Sequence, residues 1–107
     1  MLTKANTVRS KALRDSARGE ECCLNIASVC NYQPETVVLC HLPSEGKGMG
    51  MKSPDYVAVF GCSECHAHLD QNRLDGEDQA FYTMRGMIRT WQRWIDTGLI
   101  TIKGNKA

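Results

Sequence analysis

Apolar and polar positions alternate in two different periods along this chain. Thr36 to His41 (TVVLCH) is β-branched and apolar, and it follows NYQPE, where Pro34 blocks continuation of any earlier element; it predicts a strand with His41 at its end. A second strand is predicted over Tyr56 to Phe60. Between them PSEGKGMGMKSP carries Gly46, Gly48 and Gly50 at every second position, a loop pattern rather than an element. Ser63 is placed to cap a short helix over Glu64 to Asp70. From Asp75, with Asp78 three residues on, a longer helix runs to Gly98. In it Phe81, Met84, Ile88, Trp91 and Ile95 recur at steps of three and four, one apolar stripe expected to face the core. Leu99 to Ile102 is a last short strand or an extended tail.

The order strand, glycine loop, strand, helix, long helix predicts a small α+β domain. No repeat, low-complexity tract or linker divides it, and 107 residues fit one domain. A chain this short buries a modest share of its surface, so a metal or disulfide staple is expected. Residues 1–18 read as a basic arm and residues 19–107 as the domain: Lys4, Arg9, Lys11, Arg14 and Arg18 stand against one acid, Asp15. A solvated arm and a phosphate-binding arm both fit that pattern. Overall, 13 Lys and Arg against 12 Asp and Glu give a net charge of +1, so bulk charge does not mark a nucleic-acid binder and any such contact is local. No run approaches the roughly 18 apolar residues that span a bilayer, and the N-terminal residues lack the apolar core of a signal peptide. A soluble protein of the reducing cytoplasm is expected, with no membrane partner.

In that compartment six cysteines point to metal ligands or reactive thiols rather than bridges. Cys22 and Cys30 form a wide pair, and Cys62 and Cys65 a tight CSEC knuckle. A CxxC turn aims two thiolates at one ion, and zinc wants four such soft ligands in a tetrahedron, so these four are the candidate set for a structural Zn²⁺. Cys23 competes with Cys22 as a ligand, and Cys40 reads as a small hydrophobe inside its strand. A thioredoxin-like role for CSEC has no surrounding βαβ pattern to support it. His41 ends a strand and His66 follows the CxxC into a helix, with Asp70 four residues further on the same face, able to share a metal with His66 or orient its ring. Arg85, Arg89 and Arg93 fall on a neighbouring face of the long helix, either solvated or touching phosphates.

ARGEEC, VCN, PET, the His41 strand, GMGMKSPD and CSECHAHLD, and more loosely GMIRT and the Gly98 tail, resemble the YbcO family of prophage nucleases. The glycine loop and knuckle also resemble the RecA-dependent phage nuclease Ref, and both are similar to HNH endonucleases. The resemblance implies a zinc-stapled ββα-metal core with an additional C-terminal helix. It implies a metal-dependent DNA endonuclease of phage or prophage origin, with His41 as the general base, Asp55 in the place of the loop-organising Asn, and His66 on a catalytic Mg²⁺ or Mn²⁺ with Asp70 or Asp55. Cys40 stands where many HNH enzymes carry a ligating Asp before the base, and Asp55 replaces Asn. Lys47, Lys52, Arg85 and Arg89 are the candidate DNA contacts. The rival reading is a zinc-stapled module without catalysis that docks on DNA or on a phage or host recombination protein. The sequence leaves the oligomeric state open.

Overall fold

The structure, a computed structural model, describes residues 8–43 and 53–105; the glycine loop with Lys47 and Lys52 lies outside them, as does Lys4. The chain forms helix α1 (Lys11–Asp15), a 3₁₀ turn at Pro34–Thr36, strands β1 (Val38–His41) and β2 (Ala58–Gly61), and helices α2 (Ser63–Asp70) and α3 (Gly76–Asp96). This is a small α+β arrangement. The strands pair antiparallel in the register Val38↔Gly61, Leu39↔Phe60, Cys40↔Val59, His41↔Ala58. His41 therefore sits at the end of the hairpin opposite the start of α2.

All four residues of β2 are buried, because α3 lies along it. A sheet edge leaves unpaired backbone groups that must find partners. Here the Phe60 amide donates to Thr90 Oγ1 at 3.0 Å, and the Phe60 carbonyl accepts from the Cys23 amide at 2.8 Å. Gly86 permits the close approach: a Cβ there would stand 3.2 Å from Val59 Cγ1 and 3.4 Å from Leu24 Cδ2. Trp94, fully buried, packs edge-on against Phe60 at 6.0 Å and donates its indole N–H to Ser16 Oγ at 2.7 Å.

The face that α3 buries is therefore not the expected stripe. Phe81, Met84 and Ile88 are 58%, 65% and 64% exposed. Trp91 is half-buried, edge-on to Tyr56 and donating to its carbonyl. The buried side runs through Gly86, Thr90 and Trp94, with Tyr82 and Met87 beside them. Two small residues set the contact because they bring helix and strand close enough for a hydrogen bond, which outweighs apolar periodicity. A second correction concerns α2, whose cap is Cys62, accepting from the Cys65 amide, while Ser63 donates its own amide to Thr36 Oγ1. Asp75 caps α3 as expected, accepting from the Asp78 amide at 2.9 Å, and Gly98 follows its end at φ +81°.

Residues Leu99–Ile102 form no strand. Of the basic arm, Leu13 and Ala17 enter the core, because Ser10 caps α1 and turns their side chains inward. Among the described residues no helix is long and apolar enough to cross a membrane.

Candidate metal centre and the His41–Asp55 pair

The sulfurs of Cys22, Cys30, Cys62 and Cys65 all lie within 4.8 Å of one another, and those of Cys30 and Cys62 are 3.9 Å apart. With Zn–S bonds near 2.3 Å, a tetrahedral site has sulfur–sulfur edges of about 3.8 Å, so this donor set fits a metal ion such as zinc. Each sulfur also accepts an N–H at 3.4 Å: Cys22 from the Asn25 amide, Cys30 from Asn25 Nδ2, Cys62 from the Cys65 amide, and Cys65 from the Ile26 amide. Such donors orient thiolates and stabilise their charge. The Cys65 thiol donates to Cys22 and, with the neighbouring amides, holds Cys22 down at about 4 against the cost of burial; the same contact pushes Cys65 up. One thiolate is thus favoured within the cluster even before a cation is considered.

The loop between the two wide-set cysteines reaches this geometry through left-handed backbone at Asn25 (φ 44°) and Ser28 (φ 65°). Asparagine tolerates that region better than most residues. Asn25 is the hub: it serves two sulfurs, its side-chain oxygen accepts from Arg89 at 2.9 Å, and Arg85 donates to the Leu24 carbonyl at 2.9 Å beside it. Sequence reasoning missed Asn25, and no spacing rule would have found it. Cys23 stands outside the cluster, buried, with its thiol turned to the Glu21 carbonyl and burial pushing its pKa up. Cys40, also outside, is fully buried, and burial raises its thiol far above the ordinary value.

The second constellation is built around Asp55, a carboxylate only 1% exposed. Burial alone would raise its pKa. Hydrogen bonds from His41 Nε2 (2.8 Å), the Ser10 amide (2.6 Å) and Arg14 (2.8 Å) prevail and hold it at about 2. Arg9 lies 3.4 Å away and also donates to the Ser53 carbonyl. Because an ionised carboxylate only accepts, the His41 nitrogen facing it carries the hydrogen. In the neutral ring Nδ1 is then the nitrogen with the lone pair. The N-terminal segment is stitched to the residues after the glycine loop, since the Asp55 amide donates to the Val8 carbonyl. Neither Ser10 nor Arg14 carries a sequence signal for this role.

His66 Nε2 stands 3.2 Å from Asp70 Oδ2, one helical turn along α2, both partly or largely exposed. Among the described residues the four thiols are the only group of three or more metal-ligating side chains that converges; His66 and Asp70 form a pair, and His41 and Asp55 another. Arg85 and Arg89 both reach the metal-centre loop.

Comparison with known proteins gives a consistent result. Residues 11–99 match the family model described as "Putative nuclease YbcO". The chain is 41% identical over 91 residues to the protein of that name from Escherichia coli K12, covering 82% of this chain and 95% of the relative. The namesake from Enterobacteria phage 82 aligns with the same figures. Among solved structures, one described as a putative bacteriophage protein from E. coli K-12 MG1655 superposes with a TM-score of 0.67. It shares 36% identity and covers 81% of this chain and 100% of its own.

Proposed function

The chain belongs to the family described as "Putative nuclease YbcO", and on that premise we propose that it is a metal-dependent DNA endonuclease with an HNH-like core. In this reading β1, β2 and α2 are the ββα unit, and Zn²⁺ in the four-thiol site staples α2 to the loop before β1. The observation that carries the proposal is the buried Asp55 anion held against His41 Nε2 at 2.8 Å. That contact fixes the ring's hydrogen on Nε2 and leaves Nδ1 to take a proton from water. The resulting hydroxide attacks phosphorus, the P–O3′ bond breaks, and the 3′ oxygen leaves with the bonding pair. The imidazolium that forms is stabilised by the adjacent carboxylate, which stays ionised throughout.

His66 and Asp70 offer a nitrogen and an oxygen 3.2 Å apart, a partial donor set that suits a divalent cation completing its shell with water and phosphate oxygens. Mg²⁺ or Mn²⁺ bound there would supply positive charge for the departing oxygen. The chain's part is to hold those two donors on a helix fixed by the cysteine knuckle. The candidate DNA contacts are Arg85 and Arg89, together with Lys47 and Lys52.

A second reading, a zinc-stapled binding module without catalysis, is favoured by one observation: among the described residues no third imidazole or carboxylate converges on His66 and Asp70. Plasmid nicking by zinc-loaded protein with Mg²⁺, Mn²⁺ or neither decides between them. Nicking that needs the added ion and is lost in His41→Ala supports the nuclease. No cleavage of single-stranded, duplex or branched DNA with any of these ions leaves the binding module.

A further inference from the structure

Beside the metal centre lies a cavity of about 580 Å³, a size typical of small-ligand clefts, whose wall includes the cluster's Cys22 together with Glu21, Asn25, Tyr32, Arg85 and Arg89. Three features set it apart from an ordinary surface hollow. The two arginines are pre-positioned, Arg85 by the Leu24 carbonyl and Arg89 by Asn25, so little freedom is lost when they meet a ligand. Each uses only part of its five N–H donors on those contacts. Second, Arg85 Nε is buried without a hydrogen-bond partner, the one such side-chain atom among the described residues. The guanidinium lies over the rings of Phe81 and Tyr82, 5.0 and 5.3 Å from their centroids, which fixes its plane at the cavity wall. Third, Tyr32 is 73% exposed and held at φ +56°, a left-handed conformation costly for an aromatic residue and of the kind that gathers at functional sites.

We propose that this cavity seats one unstacked nucleotide of single-stranded DNA, its phosphate on Arg85 and Arg89 and its base on the face of Tyr32. The inference rests on the nucleic-acid reading above and names the substrate form that reading leaves open. Arg85 and Arg89 face the Glu21 carboxylate and the Cys22 sulfur, whose charge a bound zinc would draw off, so their remaining N–H donors suit a monoanionic phosphodiester rather than a more highly charged group. A tyrosine face can be used only by a base that has left its stack, because paired bases have no free face to offer. Tyr32 lies on the segment that leads into β1, the strand whose far end carries His41. Exposed Phe81 is already covered by the Arg85 guanidinium, 5.0 Å from its ring centroid, which leaves Tyr32 as the open aromatic face of the cavity.

The test is fluorescence anisotropy on the full zinc-loaded chain without Mg²⁺ or Mn²⁺, using a short labelled single strand and the same sequence as a blunt duplex. The single strand should bind more tightly than the duplex. Tyr32→Ala should weaken single-strand binding roughly 5- to 150-fold, the range for one base–aromatic stack, with zinc content unchanged, and Tyr32→Phe should restore it. Arg89→Gln should flatten the dependence of log affinity on log salt by about 0.7, one phosphate's worth for a single strand. If Tyr32→Ala fails to hold zinc, Tyr32→Leu, which keeps apolar bulk without a π face, replaces it. Wild-type affinity in the alanine or leucine variant, equal loss on duplex and single strand, or no measurable single-strand binding by the wild type overturns the proposal. The nicking assay is independent: a protein that binds in this way and never nicks keeps the nucleotide seat and loses the nuclease, and one that nicks with Tyr32 replaced and affinity unchanged does the reverse.

Discussion

The cysteine centre and the Asp55 cluster are both small polar assemblies inside a small core, yet they are built in opposite ways. The centre gathers soft thiols from two chain segments and surrounds them with main-chain amides, so its geometry is nearly a backbone property. The Asp55 cluster gathers side chains from three segments around one full charge, with the Ser10 amide and the Arg14 guanidinium on one side, His41 on another, and Asp55 between them. The first is a donor set that a metal ion such as zinc would fit, four sulfurs within 4.8 Å of one another. The second is self-neutralising, since arginines already balance the carboxylate. The difference sets the expectation to be tested: with zinc bound, the cysteine centre would be coupled to folding, whereas the Asp55 cluster, balanced by its own arginines, should be alterable with the fold intact.

The largest expected effect breaks the first half of that contrast. Structural zinc contributes on the order of 10 kcal/mol in small peptides, as much as a whole domain's stability. Elemental analysis should find one zinc per chain, and chelation or Cys62→Ser should abolish the cooperative thermal transition. A metal-free chain that melts like the wild type would remove the centre from the folding account.

Trp94 joins the two regions, packing on the strand that leads into Cys62 and donating to Ser16 in the segment that delivers Ser10 and Arg14. Trp94→Ala should therefore cost about 3–5 kcal/mol, read by denaturant unfolding, whereas Trp91→Ala should cost clearly less because that ring is half-exposed. Equal losses would mean that the packing of α3 is misassigned.

His41→Ala sharpens the other half: zinc content and melting should stay near wild type while nicking falls by roughly 10² to 10⁴ fold. His66→Ala should also spare the zinc, and extra Mn²⁺ should recover part of its rate. Loss of zinc in either variant would show that the two regions are not separable.

The smallest effect is on acid stability. Asp55 titrates at about 2 when folded, below its ordinary 3.8, so the unfolded chain binds that proton more tightly. Its contribution, about 2 kcal/mol, is fully present above the unfolded value and is lost as pH falls from near 4 through 2. Urea midpoints measured across that window should drop in the wild type and drop less in Asp55→Asn. Parallel curves would mean that the anion adds nothing to the fold.

How much of this was legible beforehand differs between the same two regions. The CxxC spacing identified Cys62 and Cys65, and the wide pair supplied Cys22 and Cys30, because ligand spacing along a turn is a local property. Both strands, α2 and the capped start of α3 were readable for the same reason, within one to two residues. The buried face of α3 was not readable. Apolar periodicity pointed to Phe81, Met84 and Ile88, while Gly86 and Thr90 decided the contact through close approach and one hydrogen bond to Phe60. Helix α1 was hidden under its basic charge.

By itself the sequence determined the α+β element order, the four-thiol donor set and the residue types at His41, Asp55, His66 and Asp70. Tertiary structure alone decided that Cys22 rather than Cys23 turns to the centre, that Asn25 serves two of its sulfurs, and that Asp55 receives the Ser10 amide from 45 residues away. The physical reason is one of range. Backbone propensity, capping and metal-ligand spacing act within a few residues, whereas the partner of a buried charge is set by which distant segment the packed core brings to it.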